Sequence, residues 1–212
     1  QFDTIASNFR QAGIGYSHDR GQTWIKFTLD PGQFRSDPVL GTDAAGTFFL
    51  SSLSSTTTAE VWRSVDGGVS WIKVNAFGGD KQWLAVDDRS SGQGAGHIYE
   101  NWNVQFSCCQ SNDFTRSING GVSFQSPIAI PTPSIKWGTM DIGTDGTLYM
   151  AGSDLNQTNH LFVKSTTAKN PAVTPTFSTP MPINLGGNTM IGASVNPQGM
   201  LGQVWIAADQ ST

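Results

Sequence analysis

Charge is scarce in this chain. Only 13% of its 212 residues are Asp, Glu, Lys or Arg, about half of the usual share. The 12 Lys and Arg residues are scattered, and the net charge is −4. With no basic run to track a phosphate backbone, nucleic acid is not an expected partner. Long apolar runs are missing as well, so no membrane span is expected. No useful length repeats apolar residues at the helical period of 3.6. No targeting segment is recognisable. The chain begins at Gln1, as a processed form or a fragment would.

Cysteine is almost absent. Cys108 and Cys109 are the 2 cysteines, and neighbours cannot supply the separated four-ligand set of a zinc site. Across a trans peptide their Cα atoms lie about 3.8 Å apart, below the usual disulfide range. A vicinal disulfide and a pair of reduced thiols both fit. His18, His97 and His160 lie far apart with no metal-ligand spacing. The acidic turns at Asp43 and Asp87-Asp88 could attract Ca²⁺ but lack EF-hand spacing. No metal and no cofactor are therefore expected. There is no nucleophile elbow and no phosphate-binding loop. Asn156-Gln157-Thr158 is a glycosylation sequon, meaningful in a glycosylating host.

What is plentiful is Gly, at 24 residues, together with Ser, Thr and 7 Trp. That balance suits a β-rich, secreted, extracellular protein. One turn recurs through it. Ser17-His18-Asp19-Arg20-Gly21-Gln22-Thr23-Trp24 returns as Ser64-Val65-Asp66-Gly67-Gly68-Val69-Ser70-Trp71. It returns again as Ser117-Ile118-Asn119-Gly120-Gly121-Val122-Ser123-Phe124. A worn copy opens at Ser165-Thr166-Thr167 and ends at Thr176-Phe177. A self-similarity of about 50 residues decides the fold before anything else does. The third-position carboxylate can fold back onto the backbone N–H groups that follow it. The fifth-position Gly takes a positive φ without a Cβ penalty. The seventh-position hydroxyl joins the same loop, and the eighth-position aromatic opens the next strand as a buried plug.

The pattern Ser-x-Asp-x-Gly-x-Thr-Trp resembles the Asp-box, or BNR repeat, of sialidase-like β-propellers. The resemblance implies an all-β chain built from four-stranded antiparallel blades. Blade units fall at residues 1–30, 37–75, 80–130, 136–183 and 188–212, within one domain of 1–212. In each unit an inner strand, a turn and a second strand come first: 37–53, 80–102, 136–152 and 188–208 are one motif. The third and fourth strands flank the repeated turn, so Phe124 and 176–178 open fourth strands. If the two ends share a blade, about four blades are present. The six blades of the resembled family would need roughly 300 residues. A fragment, a short propeller and several chains assembled together all fit, and open blade edges would favour self-association.

In that plan the repeated turns lie on the rim, away from the ligand-binding mouth. Ser17, Asp19, Gly21, Trp24, Ser64, Asp66, Gly68, Trp71, Ser117, Asn119, Gly121 and Phe124 are then structural. Arg63 and Arg116, each just before a turn, would cover a neighbouring blade or face solvent. The mouth is built by segments entering first strands and by loops from second to third strands. It draws ligand-binding candidates Arg35, Asp80, Lys81, Trp83, Glu100, Trp102, Lys136, Trp137 and Asp154, with Asp37 the acid/base candidate by position. Cys108 and Cys109 lie in one of these loops. Trp beside charged groups suits sugar, whose faces stack on indole, although Trp83, Trp102 and Trp137 read more readily as plugs between blades.

The sialidase machinery is not matched. That family carries an arginine in a Phe/Tyr-Arg-Ile-Pro motif, whereas Phe9-Arg10 here is followed by Gln11-Ala12. Tyr99 beside Glu100 would point to the opposite face of a strand. No pair of carboxyl groups converging on one bond can be assembled, as glycoside hydrolysis requires. The expected function is a non-catalytic extracellular module that binds glycans or proteins or builds a surface assembly. The alternative is an exo-sialidase-like hydrolase, or part of one.

Overall fold

The computed structural model describes residues 13–186 and 204–211. The sequence expectations at 3–9, at Phe9-Arg10 and at 188–195 lie outside the described residues. Each copy of the repeated turn closes on itself in the same way. In the first, Ser17 Oγ donates to Asp19 Oδ1 at 2.7 Å and accepts from Gly21 N–H at 2.8 Å. Thr23 donates to the same carboxylate through its N–H (2.9 Å) and its hydroxyl (2.5 Å). Ser64, Asp66 and Ser70 repeat these bonds in the second copy. In the third, Asn119 Oδ1 accepts from Ser117 Oγ (2.9 Å) and Ser123 N–H (3.0 Å). Its amide donates to Ser123 Oγ at 2.9 Å. The worn copy keeps the frame with hydroxyls: Ala168 N–H donates to Ser165 Oγ, and Thr176 N–H to Thr167 Oγ1. Two consecutive residues take positive φ in the first three copies. The fifth-position glycines stand at 84°, 88° and 74°, and Arg20, Gly67 and Gly120 before them at 61°, 73° and 66°.

These turns follow the second-last or last strand of each of four antiparallel sheets that succeed one another along the chain. The first sheet pairs β1 (Ile14–Tyr16) with β2 (Ile25–Phe27). The second runs β3 (Ser36–Thr42), β4 (Phe48–Leu53), β5 (Ala59–Ser64) and β6 (Ile72–Val74). The third holds β7 (Trp83–Val86), β8 (Ile98–Asn101) and β9 (Phe114–Ser117). The fourth runs β10 (Lys136–Ile142), β11 (Leu148–Ser153), β12 (His160–Ser165) and β13 (Met181–Ile183). There is no helix among the described residues. The first strands β3, β7 and β10 neighbour one another in that order, so the sheets are arranged radially around them.

Three apolar layers separate the four sheets. Ile14, Phe27 and Leu29 meet Leu50, Trp62 and Trp71. Val39, Phe49 and Val61 meet Leu84, Val86, Ile98 and Phe124. Tyr99 and Phe114 meet Ile135, Met140, Leu148, Met150, Leu161 and Val163. Alternation along each strand sends one set of side chains to the preceding layer and the other to the following one. Arg63 and Arg116 cover the neighbouring sheet. Arg63 Nε donates to Gly120 O at 3.0 Å. Arg116 donates to Ala168 O, Asn170 O and Val173 O.

Four expectations change. The eighth-position aromatic is a plug in the later copies, but Trp24 is 61% exposed because no sheet lies behind β1 and β2 among the described residues. The third sheet has three strands, since Phe124 opens no fourth. The segment after it meets β9 through Gln125 and Ile128, but Pro127 between them has no N–H to give the ladder. In the fourth sheet the last strand is Met181–Ile183, beyond 176–178. Residues 204–211 form no strand. They run parallel to β10: Val204 N–H donates to Trp137 O, Ile206 N–H to Thr139 Oγ1 and Ala208 N–H to Asp141 Oδ2. The segment thus lies along β10, the first strand of the fourth sheet.

Candidate functional site

The inner strands share an irregularity at one end. The β3–β4 register shifts between Ser36 and Val39, and the β10–β11 register between Lys136 and Thr139. Both are bulges, which bend a strand and re-aim a side chain. Asp37 and Trp137 stand in them at positive φ, 48° and 54°. Lys81, two residues before Trp83 of β7, holds the corresponding place at 55°. A positive φ is uncommon for Asp and unfavourable for Lys and Trp. The positive φ recurs at the same place in three successive units, and such strain gathers where the surrounding structure uses it. At β10 the bulge also demands Gly138, whose added Cβ would meet the Ala151 carbonyl.

The three side chains line one cavity of about 400 Å³, together with Gln82, Trp83 and Trp205. Lys81 Nζ donates to Asp37 Oδ2 at 2.6 Å, and Ser36 Oγ to Asp37 Oδ1 at 2.8 Å. Gln82 Nε2 donates to the Asp37 carbonyl at 2.5 Å. Trp83 and Trp205 meet edge to face with centroids 4.8 Å apart. Lys136 Nζ lies 4.4 Å from the centre of the Trp137 ring, a cation–π contact. Burial of Lys136 pulls its ammonium below the usual lysine range, with Asp154 opposing. Asp80 flanks the cavity. Burial pushes its carboxyl above the usual range, Lys81 opposes and Asp37 reinforces.

Asp37, Lys81, Trp83 and Trp137 of the sequence candidates are thus brought together, with Asp80 and Lys136 beside them. The others are elsewhere. Arg35 is buried between Asp30 (2.7 Å) and Glu60 (2.5 Å), with its guanidinium 5.6 Å from the Trp62 ring. Trp102 is wholly buried and donates through Nε1 to Asn112 O, so it is a plug. Asp154 ties its own loop, accepting from Thr158 N–H (2.8 Å), Thr158 Oγ1 (2.7 Å) and Asn159 Nδ2 (2.8 Å). Glu100 is sealed between the second and third sheets, where it accepts from Ser51 Oγ. Burial pushes its carboxyl up to about 8. Tyr99 turns the other way, into the layer between the third and fourth sheets.

Cys108 and Cys109 form a vicinal disulfide. Their loop is laced to the segment leading into Lys81. Asp80 N–H donates to Phe106 O (2.7 Å), Asn103 N–H to Asp80 O (2.9 Å) and Cys108 N–H to Gly78 O (3.2 Å). Gln82 and Trp205 were not anticipated. Gln82 lies between two candidates in the chain. Trp205 falls in the second-strand half of the last unit's motif, whereas Trp83 opens an inner strand, so no local signal aligns the two.

No protein-family model matches the sequence, and no curated protein matches it. Solved structures do. A protein of unknown function from Dyadobacter fermentans superposes over 80% of this chain and 57% of its own, with TM-score 0.53 and 12% identity. The GH74 xyloglucanase of Xanthomonas campestris superposes over 83% of this chain and 28% of its own, with TM-score 0.51 and 21% identity. A mutant NanB sialidase of Streptococcus pneumoniae matches at TM-score 0.49 and 14% identity, over 80% of this chain and 28% of its own. This chain therefore spans just over half the length of the first and under a third of the second. At these identities the likeness is one of fold: antiparallel sheets set radially, as in the β-propeller glycoside hydrolases.

Proposed function

We propose that the mouth cavity binds carbohydrate and that the chain is a non-catalytic, extracellular glycan-binding module of the Asp-box propeller type. The observation that carries this reading is the positive φ repeated at Asp37, Lys81 and Trp137. It accompanies an acid, a cation and an indole, at the inner strands of three different sheets, around one space already walled by two further indoles. Indole offers a broad apolar face with a polar edge. Asp37, Lys81 and Gln82 offer acceptors and donors for ring hydroxyls. A volume of about 400 Å³ is in the range of small-ligand pockets.

Binding is favoured over hydrolysis by the state of the carboxylates. Asp37 is the one carboxylate among the described lining residues, and both of its oxygens are engaged. Glycoside hydrolysis calls for two carboxyl groups facing each other across the scissile bond, and Glu100 is enclosed between sheets. The test is intrinsic tryptophan fluorescence and calorimetry against neutral and sialylated oligosaccharides, with reducing-end release followed in the same samples. Saturable quenching that is lost in Trp137→Ala, without sugar release, is expected. Release that depends on Asp37 would replace binding with catalysis. No response to any saccharide by the folded protein would remove the reading.

A further inference from the structure

One contact joins the sheets at the rim, and it is used repeatedly. The aromatic that closes each turn packs backward onto the preceding sheet. Trp71 joins Ile14, Phe27 and Leu29, Phe124 joins Phe49 and Val61, and Phe177 meets Phe114 edge to face at 4.9 Å. The residue just before each turn reaches forward to the fourth position of the next. Arg63 Nε donates to Gly120 O (3.0 Å), and Arg116 Nη1 to Ala168 O (2.5 Å). Between the first two turns the approach is by packing alone, with Tyr16 against Gly68 and His18 against Gly67.

The series is unmatched at both ends among the described residues. At the head, Trp24 is 61% exposed, and the Arg20 carbonyl stands where Gly120 O and Ala168 O accept their arginines. At the tail, the fourth sheet repeats the receiving surface of the second. Gly41 pairs with Phe49 as Asp141 pairs with Tyr149, and Ser51 with Val61 as Ala151 with Phe162. Tyr149 and Phe162 therefore hold the places of Phe49 and Val61, which receive Phe124. Their rings stack at 6.1 Å and are only partly covered. Lys164, opposite Tyr149, holds the place of Arg63, opposite Phe49, and is exposed.

We infer that a second copy of this chain docks head to tail on the fourth sheet. Its Trp24 seats on the Tyr149–Phe162 pair, and its Arg20 carbonyl accepts from Lys164. The occupant is a second copy because this chain's own head presents the knob and the acceptor that its own tail lacks. Such an interface is heterologous, so it repeats until a ring closes or a filament grows.

Sedimentation velocity on the full chain, from micromolar to millimolar concentration, tests this. The wild-type mass should rise with concentration. Trp24→Ser, with its head disabled, and Phe162→Ser, with its tail disabled, should each stay monomeric while keeping the wild-type circular dichroism. An equimolar mixture of the two should give dimers and nothing larger, since one intact head then meets one intact tail. Lys164→Glu, at an exposed position, should weaken association at least tenfold even if Phe162→Ser does not fold. A wild-type monomer at millimolar concentration, whether closed on itself or completed by further chain, would overturn the inference. So would variants that associate as the wild type does.

Discussion

Glu100 is the place where pH should act most strongly on this fold. It is fully buried, accepts one hydrogen bond from Ser51 Oγ at 2.5 Å, and its other oxygen has no hydrogen-bond partner. Burial raises its carboxyl from 4.5 to about 8, with Ser51 opposing. Between those values the folded chain holds a proton that the unfolded chain has released. Its contribution is therefore complete below pH 4.5 and is lost as pH rises toward 8. At about 1.4 kcal/mol per pH unit, the loss is up to roughly 5 kcal/mol. For a chain of this length that corresponds to roughly 10–20 °C in Tm. Asp113, raised to about 7 chiefly by burial against the Ile130 N–H, acts with the same sign. His97, lowered from 6.5 by burial first and then by Arg116, acts with the opposite sign as pH falls below that ordinary value. The informative quantity is thus the difference between the wild type and Glu100→Gln, measured by scanning calorimetry from pH 5 to 9 at fixed ionic strength. Glutamine keeps the shape and still accepts from Ser51. The variant should match the wild type near pH 5 and exceed it at pH 9. Parallel profiles would refute the reasoning.

Other perturbations reach different levels of the structure. Trp137→Gly removes the strain of a positive φ, worth about 1–3 kcal/mol, against a cation–π contact of about 0.5–2 kcal/mol. Thermal melts should show Tm within a few degrees of the wild type while saccharide quenching disappears. Gly138→Ala drives a Cβ into the Ala151 backbone, and β10 and β11 must part, costing about 1–3 kcal/mol or more; a Tm unchanged in calorimetry would exclude that contact. Arg116→Ala leaves Ala168 O and Val173 O without their buried donor. It should destabilise by about 3 kcal/mol in urea titration, and Arg116→Lys should recover only part. Asp66→Asn should retain more stability than Asp66→Ala, since Asn119 already holds its turn with an amide; equal losses would show that the acceptor is dispensable.

The rim of this fold was legible because its physics is local. Asp19, Gly21 and Thr23 lie within five residues and close one turn among themselves, so their types can be read directly. The inner strands were legible as a repeated motif for the same reason. What the sequence hid depends on neighbours in space. Nothing in Glu100 or Trp102 announces which layer receives them, since a strand presents both faces to sheets whose order follows from the whole. Asp37 was found by position, but its pairing with Lys81 joins residues of different sheets. Trp205 was read as part of a second strand. Its place beside β10 follows from hydrogen bonds to Trp137, Thr139 and Asp141 that no local pattern encodes.

The two ends of these sheets are built on opposite rules. At the rim, residue type is fixed because each side chain is itself a hydrogen-bonding part of the turn. At the mouth, the backbone is fixed and residue type is free. Asp37, Lys81 and Trp137 share a positive φ and little else, so the conformation cannot come from their own preferences. At Asp37 and Trp137 it is imposed by the register shift and by the ladder on either side, and Lys81 takes it just before β7 begins. A position whose backbone is held by its surroundings can accept an acid, a cation or an indole without disturbing the sheet. Recognition can therefore be written there one sheet at a time. On this reasoning Asp37, Lys81 and Trp137 should be exchangeable with respect to folding and not with respect to binding. Swapping Asp37 with Lys81 tests the separation in one variant. Its Tm should stay within a few degrees of the wild type, because the ion pair is kept, while saccharide affinity falls. A large loss of Tm would mean that the side chains, and not the frame, hold the bulges.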